Sequence, residues 1–516
     1  MTAPTRSGDP SLARLADAIL IPPFGGRAAP GWVLNALRSG LGGVTVFGPN
    51  IAGPAQLAAL TARLRAVTAE PLIAVDEEGG DVTRIAHLVG SSYPGNAALG
   101  AVDDVAVTEA VYRALGADLA ALGINVDLAP SVDVNTAADN PVIGTRSFGA
   151  DTDLVARHAA AAVAGLQAAG VAACAKHFPG HGSTRTDSHD SIPTVDVPLK
   201  LLAQRDLPPF SAAIAAGARA VMPGHLRVPE LTGDLPASLS PAALTGLLRG
   251  ELGFTGVIIS DALEMRAVSE PFGLPEAAVL AVAAGTDLLC FGRDRRRAAY
   301  LAVRDALGAA VTSGRMPGAR LEEAAARVAG LRAWTAAARA ASVQAAGHQA
   351  VGGADVGLAA ARRAVRVTGG PVGPLRRPLL VEVVPPANIA VGPVPWGLAP
   401  WVPADSIVRL GVGAVAGEPA QAADGALAAA AGRPLAVVVR DAHRYPAARD
   451  VVTRLLAARP DAVVVEMGLP VWQPPHAVHV ATYGAARISG LAAAEILGLA
   501  PRPTPLSPAD RASRPK

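Results

Sequence analysis

Three histidines lie close together in one polar segment, residues 176–190, which reads KHFPGHGSTRTDSHD and directly follows an apolar run. Pro179 breaks any helix here, so His177 and His181 cannot form the one-faced pair of a helical zinc site. Together with His189, they place three imidazoles on a predicted strand end and the long polar loop that follows it. Imidazoles in such a loop are suited to proton transfer at neutral pH.

Polar side chains close other apolar runs in the same way. Asp76 follows the run 72–75, His225 follows 220–222, and Asp261 follows the run that begins at Val257. Unpaired carboxylates and imidazoles are costly inside a core. Their recurrence at the ends of apolar runs therefore predicts one shared polar site.

The spacing of the apolar runs predicts the fold that would build such a site. The runs are residues 18–24, 43–47, 72–75, 124–128, 171–175, 220–222, 257–259 and 288–291. Between most of them lie stretches of helical length, for example 54–67, 104–122, 151–169 and 199–216. Strand and helix alternating about eight times predicts a (β/α)₈ barrel, in which active sites lie at the carboxyl ends of the strands.

A change of composition predicts a second domain. We expect the barrel to cover residues 12–342, a linker and entry segment to cover 343–378, and a loose tail to cover 501–516. Between them, residues 379–500 again alternate short apolar runs with helical stretches. This region is predicted to form a smaller α/β/α sandwich domain with a mostly parallel sheet.

The overall composition is that of a soluble enzyme. The 516 residues are 51% hydrophobic with a net charge of +2, and the mean hydropathy is +0.34. These values exclude a disordered chain and offer no broad electrostatic case for a nucleic-acid partner. Cys174 and Cys290 lie in apolar runs and are expected to be buried thiols. With neither a signal peptide nor a membrane span recognised, we expect a cytoplasmic protein without membrane association.

Four motifs occur in a fixed order along the barrel region. They are DEEGG at 76–80 with Arg84, GTRSFG at 144–149, KHFPGHG at 176–182 with DSH at 187–189, and GFTG at 253–256 leading to SD at 260–261. This constellation resembles glycoside hydrolase family 3, and within it the β-N-acetylglucosaminidases that act on peptidoglycan fragments. The resemblance covers about residues 12–340. The second domain resembles the additional domain of many members only weakly, best at Tyr483 and Gly484.

The resemblance implies a retaining double displacement with Asp261 as the nucleophile. The residues alone leave an alternative open, because Asp261 could instead cap a helix that begins just after it. The resemblance also implies that His189, held by Asp187, is the acid/base. A neighbouring carboxylate raises the pKa of an imidazole, which suits this role. From the residues alone, His189 could simply be exposed to solvent.

The resemblance further implies a set of sugar-binding residues and no cofactor or metal. The set is Asp76, Arg84, Arg146, Lys176 and His177, with His225 expected near the acetamido group and His181 expected to shape the loop. The alternative for the basic residues is that they form salt bridges lining the barrel mouth. Two positions depart from the family pattern, Ser183 in place of an Asp and Ala262 in place of a second Asp. The expected partners are N-acetylglucosamine-containing saccharides or muropeptides, and the expected assembly is a monomer or weak oligomer.

Three other functions remain open at this point. A neutral histidine does not repel phosphate, so the same residues could serve a glycoside phosphorylase. A metal-dependent amidohydrolase could use the strand-end Lys, His and Asp residues, but the first run, IPPF at 21–24, has no His-x-His pair. The third is a non-catalytic sugar-binding barrel.

Overall fold

The structure is a computed structural model that describes residues 9–186, 192–292, 297–345 and 353–501. Contacts divide the chain into two compact units. The first is Met1–Ala364 with Ala387–Pro395, and the second is Val365–Pro386 with Trp396–Lys516. One short segment from far along the chain, residues 387–395, is therefore part of the first unit.

The first unit contains eight parallel strands that follow one another in chain order. They are β1 Leu20–Ile21, β2 Gly43–Val46, β3 Leu72–Val75, β4 Val126–Asp127, β5 Ala172–Phe178, β6 Ala220–Pro223, β7 Val257–Ile258 and β8 Leu289–Cys290. Strands β2 to β7 form one curled sheet, and the bridge between Ile259 and Leu288 carries it on to β8. Strand β8 pairs with β1, whose Ile21 carbonyl accepts a 3.0 Å hydrogen bond from Thr45 of β2. The predicted barrel is confirmed.

Helices connect the strands and cover the barrel. They are α1 Pro10–Ala18, α2 Gly31–Ser39, α3 Pro54–Arg65, α4 Asn96–Val102, α5 Val105–Ala121, α6 Thr152–Ala168, α7 Leu199–Arg205, α8 Pro208–Ala215, α9 Pro229–Thr232, a π-helix Ala242–Glu251, α10 Arg266–Phe272, α11 Leu274–Ala284, α12 Arg297–Thr312, α13 Gly318–Ala345 and α14 Gly353–Ala364. Local sequence determines where a helix begins: Asp151, for example, caps the amino end of α6 by accepting a 2.8 Å hydrogen bond from Leu154 N. The predicted single helix 199–216 is wrong in detail, because Pro208 and Pro209 begin a new helix there.

Helix α14 lies within the stretch predicted as a linker. Its small residues allow it to lie close against the barrel unit: a Cβ atom at Gly357 would come within 2.1 Å of the Ser92 carbonyl oxygen. Ala360 and Ala364 are buried. A Gly/Ala-rich stretch is therefore a packed helix here, because small side chains permit close contact between backbones.

The second unit is built around a six-stranded sheet. Its strands are β9 Arg366–Thr368, β10 Leu379–Val384, β11 Ile407–Gly411, β12 Leu435–Val439, β13 Val463–Glu466 and β14 Val478–Ala481, in the order β11-β10-β12-β13-β14-β9. Every pair is parallel except β9 with β14. The helices are α15 Val412–Val415, α16 Pro419–Ala430, α17 Pro446–Ala458 and α18 Arg487–Ile496.

Side chains of the second sheet alternate between two apolar clusters. Val437 and Val439 join one cluster, while Ala436 and Val438 join the other. Because successive side chains of a strand point to opposite faces, the sheet has a core on each side. The predicted α/β/α sandwich with a mostly parallel sheet is confirmed.

Within the described part of the chain, no single helix has the length and apolar composition needed to cross a membrane. Helices α10 and α11 would meet that requirement only together, and they are bent by 106° relative to each other.

One buried charge cluster joins the start of β8 to helix α13. The Asp287 carboxylate is buried and contacts Arg249, Arg320 at 2.5 Å and Arg327 at 3.3 Å. Removing one partner of a buried ion pair leaves uncompensated charge, which costs about 3–5 kcal/mol. We therefore expect Asp287→Ala to lower the free energy of unfolding of the first unit by about that amount, measured by urea denaturation.

The matched control is Asp305→Ala. Asp305 is mostly exposed, and its partner is the neighbouring Arg304. Exposed pairs contribute under about 1 kcal/mol. Equal losses of stability in the two variants would contradict the structural role given to Asp287.

Candidate active site

A cavity of about 600 Å³ lies at the carboxyl ends of the barrel strands. Its wall includes six of the predicted site residues: Asp76, Arg84, Arg146, Lys176, His177 and Asp261. His181 and Glu264 also line it, as do eight successive residues, 387–394, from the distant segment of the first unit. The volume is that of a small-molecule site.

Asp76, directly after β3, is held between two cations. Its Oδ1 accepts a hydrogen bond from Lys176 Nζ at 2.5 Å, and its Oδ2 accepts one from Arg84 Nη2 at 2.7 Å. Burial disfavours the charged form, but the coulombic effects of Lys176 and Arg84 prevail and hold the pKa of Asp76 well below its usual range. Asp76 is therefore an ionised hydrogen-bond acceptor at neutral pH.

Glu78 completes a group of paired charges, here called the charge array, that consists of Asp76, Glu78, Arg84, Arg146 and Lys176. Arg146 donates to both of its oxygens, from Nε at 2.8 Å and from Nη2 at 2.6 Å. Lys176 Nζ lies 2.7 Å from Glu78 Oε1, so one ammonium group is shared by Asp76 and Glu78. The basic residues thus form the salt bridges that the sequence left open as the alternative to sugar binding. They also line the cavity, so the two roles are compatible.

Asp133 fixes the imidazole of His177. Its side chain is fully buried, and its Oδ2 lies 2.8 Å from His177 Nδ1. The other oxygen accepts hydrogen bonds from the backbone nitrogens of His177 at 3.2 Å and His181 at 2.7 Å. Burial alone would raise the pKa of Asp133, but His177 outweighs that effect and lowers it. Asp133 therefore orients the residues that begin the loop.

Asp261 follows β7 and faces the cavity. Its Oδ1 accepts a 2.7 Å hydrogen bond from the backbone nitrogen of Ala262. The alternative role as a helix cap is wrong, because α10 begins at Arg266 after Met265. A half-buried carboxylate thus lies at the barrel mouth, in the wall of the cavity.

His225 is buried one layer behind the cavity wall. Its Nδ1 lies 2.7 Å from Ser238 Oγ, and its Nε2 lies 3.1 Å from the Ala262 carbonyl oxygen. The structure therefore connects His225 to the backbone beside Asp261. A role near an acetamido group stays a prediction.

The predicted acid/base pair, Asp187 and His189, lies outside the described residues. The base of its loop is described, and it begins in the cavity wall at His181. Asn140 Nδ2 donates a 2.9 Å hydrogen bond to the His181 carbonyl oxygen. At Gly182, a Cβ atom would lie 1.9 Å from the Val134 carbonyl oxygen, so this position requires glycine. The loop therefore leaves the barrel at the mouth of the cavity.

Glu77 is a buried carboxylate that the sequence did not single out. Its Oε2 accepts hydrogen bonds from Thr83 Oγ1 at 3.0 Å, Arg84 N at 2.8 Å and Ile85 N at 3.0 Å. These bonds fix the turn that carries Arg84. The motif itself could not distinguish Glu77 from Glu78, because both are acidic and adjacent.

Glu264 is the other functional candidate that the sequence did not single out. Its carboxylate lies in the cavity wall, where a Cβ atom at Gly292 would come within 1.4 Å of its Oε1. Glycine at 292 therefore makes room for this acidic group. Its position three residues after Asp261 is the only signal the sequence offers.

The segment 387–395 is anchored to the barrel by three hydrogen bonds. Arg84 donates to the carbonyl oxygens of Ala390 at 2.8 Å and Val391 at 3.3 Å. Asn388 Nδ2 donates to the Pro141 carbonyl oxygen at 2.7 Å. No sequence pattern links this segment to the barrel, because it follows β10 of the second unit.

Comparison with known proteins yields consistent matches. A family model described as the glycosyl hydrolase family 3 N terminal domain matches residues 33–331. The chain is 38% identical to Beta-hexosaminidase A of Pseudoalteromonas piscicida over 273 residues, which are 49% of this chain and 46% of that protein. It is 39% identical to Beta-hexosaminidase LpqI of Mycobacterium tuberculosis over 265 residues, 50% of this chain and 67% of that protein. The chain thus spans about half the length of the first of these relatives.

Among solved structures, a glycoside hydrolase family 3 beta-N-acetylglucosaminidase from Paenibacillus sp. str. FPU-7 is similar over both units. The TM-score is 0.83 at 33% identity, with 94% of this chain and 96% of that chain covered.

The environment of Glu77 predicts how stability depends on pH. Burial raises the pKa of Glu77 to about 7, above its value in an unfolded chain. Between the two values the folded state binds more protons, so stability falls as pH rises from about 5 to 8. The full effect is on the order of 3 kcal/mol.

We expect Glu77→Gln to remove this loss, because its amide oxygen can still accept from the backbone nitrogens of Arg84 and Ile85 without carrying a charge. The difference in Tm between this variant and wild type should therefore increase from pH 5 to pH 8. Glu77→Ala serves as the control, since it deletes the hydrogen bonds and should be destabilised at every pH. A Tm difference independent of pH would show that Glu77 does not titrate in this range.

Proposed function

The chain belongs to glycosyl hydrolase family 3, and on that premise we propose that it is a retaining exo-β-N-acetylglucosaminidase. The proposed substrates are peptidoglycan fragments that end in N-acetylglucosamine linked to N-acetylmuramic acid. The observation that carries the proposal is Asp261 in the same cavity as the array of Asp76, Lys176 and Arg146. A carboxylate beside fixed donors and an ionised acceptor is what hydrolysis of a sugar requires.

The first step forms a bond between Asp261 Oδ and the anomeric carbon. The bond from that carbon to the leaving oxygen breaks, and His189 gives its proton to that oxygen. In the second step water attacks the same carbon, His189 takes a proton from the water, and the Asp261 carboxylate is released. Two inversions leave the β configuration unchanged. In this proposal Asp187 supports the acid/base role of His189, because a nearby carboxylate raises the pKa of an imidazole.

The charge array binds the terminal sugar. Asp76, kept ionised by its two cations, accepts hydrogen bonds from sugar hydroxyl groups. Lys176, Arg146 and His177 donate to hydroxyl oxygens from the wall of the cavity. Their geometry is set before substrate binds, because Glu78 and Asp133 already hold them. Such preorganisation lowers the cost of binding in a defined orientation.

The choice of N-acetylglucosamine is supported by the relatives. The similar proteins named above are beta-hexosaminidases and a beta-N-acetylglucosaminidase. Peptidoglycan fragments are proposed from the motif resemblance in the barrel.

We expect Asp261→Asn to lower kcat for an aryl β-N-acetylglucosaminide by roughly 10³-fold or more, because the amide cannot form the covalent intermediate. Asp305→Asn is the matched control on the exposed surface and should retain wild-type turnover. Proton NMR of the wild-type reaction should show the β anomer as the first product. Turnover by Asp261→Asn at the wild-type rate, or an α anomer as first product, would overturn the nucleophile assignment.

The acid/base assignment is tested with two leaving groups. We expect His189→Ala to slow hydrolysis of a substrate with a poor leaving group roughly 10²–10⁴-fold. The leaving group of a dinitrophenyl glycoside needs no proton. For this substrate, His189→Ala should therefore slow the first step much less. Assays with and without phosphate separate hydrolysis from phosphorolysis. Release of sugar 1-phosphate as the main product would show that the enzyme is a phosphorylase.

A further inference from the structure

The segment 387–395 forms a wall of the cavity although it lies between strands of the second unit. Eight of its residues, 387–394, border the cavity, and they read ANIAVGPV. The one hydrogen-bonding side chain among them, Asn388, is already engaged: its Oδ1 accepts from Ala390 N and Val391 N at 2.8 and 3.3 Å, and its Nδ2 donates to Pro141 O. The wall thus presents apolar side chains and backbone, and its one hydrogen-bonding side chain is already engaged.

One guanidinium group joins this wall to the carboxylate proposed to bind sugar hydroxyls. Arg84 Nη2 donates to Asp76 Oδ2 at 2.7 Å and to the Ala390 carbonyl oxygen at 2.8 Å. Because the same nitrogen makes both bonds, a single hydrogen-bond donor bridges the carboxylate and the wall. Arg84 Nη1 adds a 3.3 Å bond to the Val391 carbonyl oxygen.

The position of Arg84 is itself fixed by the buried carboxylate of Glu77. Glu77 accepts hydrogen bonds from the backbone of Arg84 and from its neighbours Thr83 and Ile85. The contacts therefore run from a buried carboxylate, through Arg84, to the backbone of residues 387–395. Asn388 fixes the same segment independently, through Pro141 on the barrel.

This arrangement limits how far a saccharide can extend. A terminal sugar whose hydroxyl groups reach Asp76 would have the wall directly beyond it. A second sugar on that side would collide with the wall and would find no unused polar side chain there. The leaving group must therefore extend from the other side of the bound sugar.

We propose that the segment 387–395, held in place by Arg84, is the specificity element that confines the site to one terminal sugar residue. In this proposal Arg84 is a positioning residue, because its guanidinium group joins Asp76 to the wall. The proposal rests on the proposed function and adds the structural cause of single-residue removal.

The test uses an aryl glycoside of N,N′-diacetylchitobiose and measures the first products by chromatography at low conversion. Wild type should release N-acetylglucosamine first, and the aryl alcohol only after a lag. If the wall is displaced, the disaccharide and the aryl alcohol should appear together without a lag. The readout is the ratio of disaccharide to monosaccharide, which does not depend on total activity.

Two variants displace the wall. In one, residues 388–394 are replaced by a short glycine linker, and we expect the disaccharide fraction to rise at least tenfold. In the other, Asn388→Ala removes the anchor to Pro141 and both turn hydrogen bonds, and we expect a smaller rise in the same direction. Asn35→Ala, at an exposed position in α2 that accepts a bond from Arg38, is the matched control and should keep the wild-type ratio.

Arg84 is tested with the same readout. We expect Arg84→Ala to raise the disaccharide fraction. Arg84→Lys should retain a cation beside Asp76 and recover part of kcat, yet it should not restore the wild-type ratio, because an ammonium group lacks the fork that holds two carbonyl oxygens. A merely structural role would change total activity and leave the ratio constant.

The outcomes separate the two proposals. A wild-type protein that does not hydrolyse any aryl β-N-acetylglucosaminide would overturn the proposed function itself. If wild type is active and the linker variant gives the wild-type product ratio, the wall does not limit the site. Should the linker variant fail to fold, Asn388→Ala decides, and a wild-type ratio in that variant also overturns the inference.

Discussion

The buried ammonium group of Lys176 is the contact on which the site depends. It is shared by Asp76 at 2.5 Å and Glu78 at 2.7 Å, and each of these carboxylates is paired with an arginine in turn. A buried charge without a partner costs several kcal/mol, so none of these side chains can move independently. Two carboxylates and three cations leave this array with one positive charge in excess, which favours further carboxylates in the same cavity, where Asp261 and Glu264 lie.

The pairing also explains how a barrel mouth built from short strands holds its side chains rigidly. Strand β5 contributes only Lys176 to the charge array, and the other members, from Asp76 directly after β3 onward, come from segments between strands and helices. Loops are mobile unless their polar groups are satisfied. Here Glu77 satisfies the backbone around Arg84, and Asp133 satisfies the backbone of His181, just beyond the end of β5. Buried carboxylates thus replace the regular hydrogen bonding that a strand would supply.

Part of the site wall is supplied by a distant part of the chain. The segment 387–395 contacts Arg84 and Pro141 and is counted with the barrel by its contacts. Along the chain, this segment is joined at both ends to residues of the second unit. Its anchoring to the cavity wall therefore makes the shape of the cavity depend on residues outside the barrel sequence.

The sequence by itself determined the barrel, the second sheet and the residues at the strand ends. Alternating apolar runs and helical stretches report burial, and burial is a local property of each element. For the same reason Asp76, Lys176, His177 and Asp261 could be recognised from their positions directly after apolar runs. Family motifs added Arg84 and Arg146, while Asp187 and His189 were indicated by motif alone and lie outside the described residues.

Tertiary structure alone decided which charges pair, and which residues act from behind the cavity wall. Nothing in the local pattern distinguishes Glu77 from Glu78, connects His225 to the backbone of Ala262, or brings residues 387–395 to Arg84. Helix α14 likewise could not be predicted from the sequence, because a stretch rich in glycine and alanine has the composition of a linker. Its packing partner in the barrel unit is known only from the structure. These features depend on contacts between segments far apart in the chain, and periodicity carries no information about such contacts.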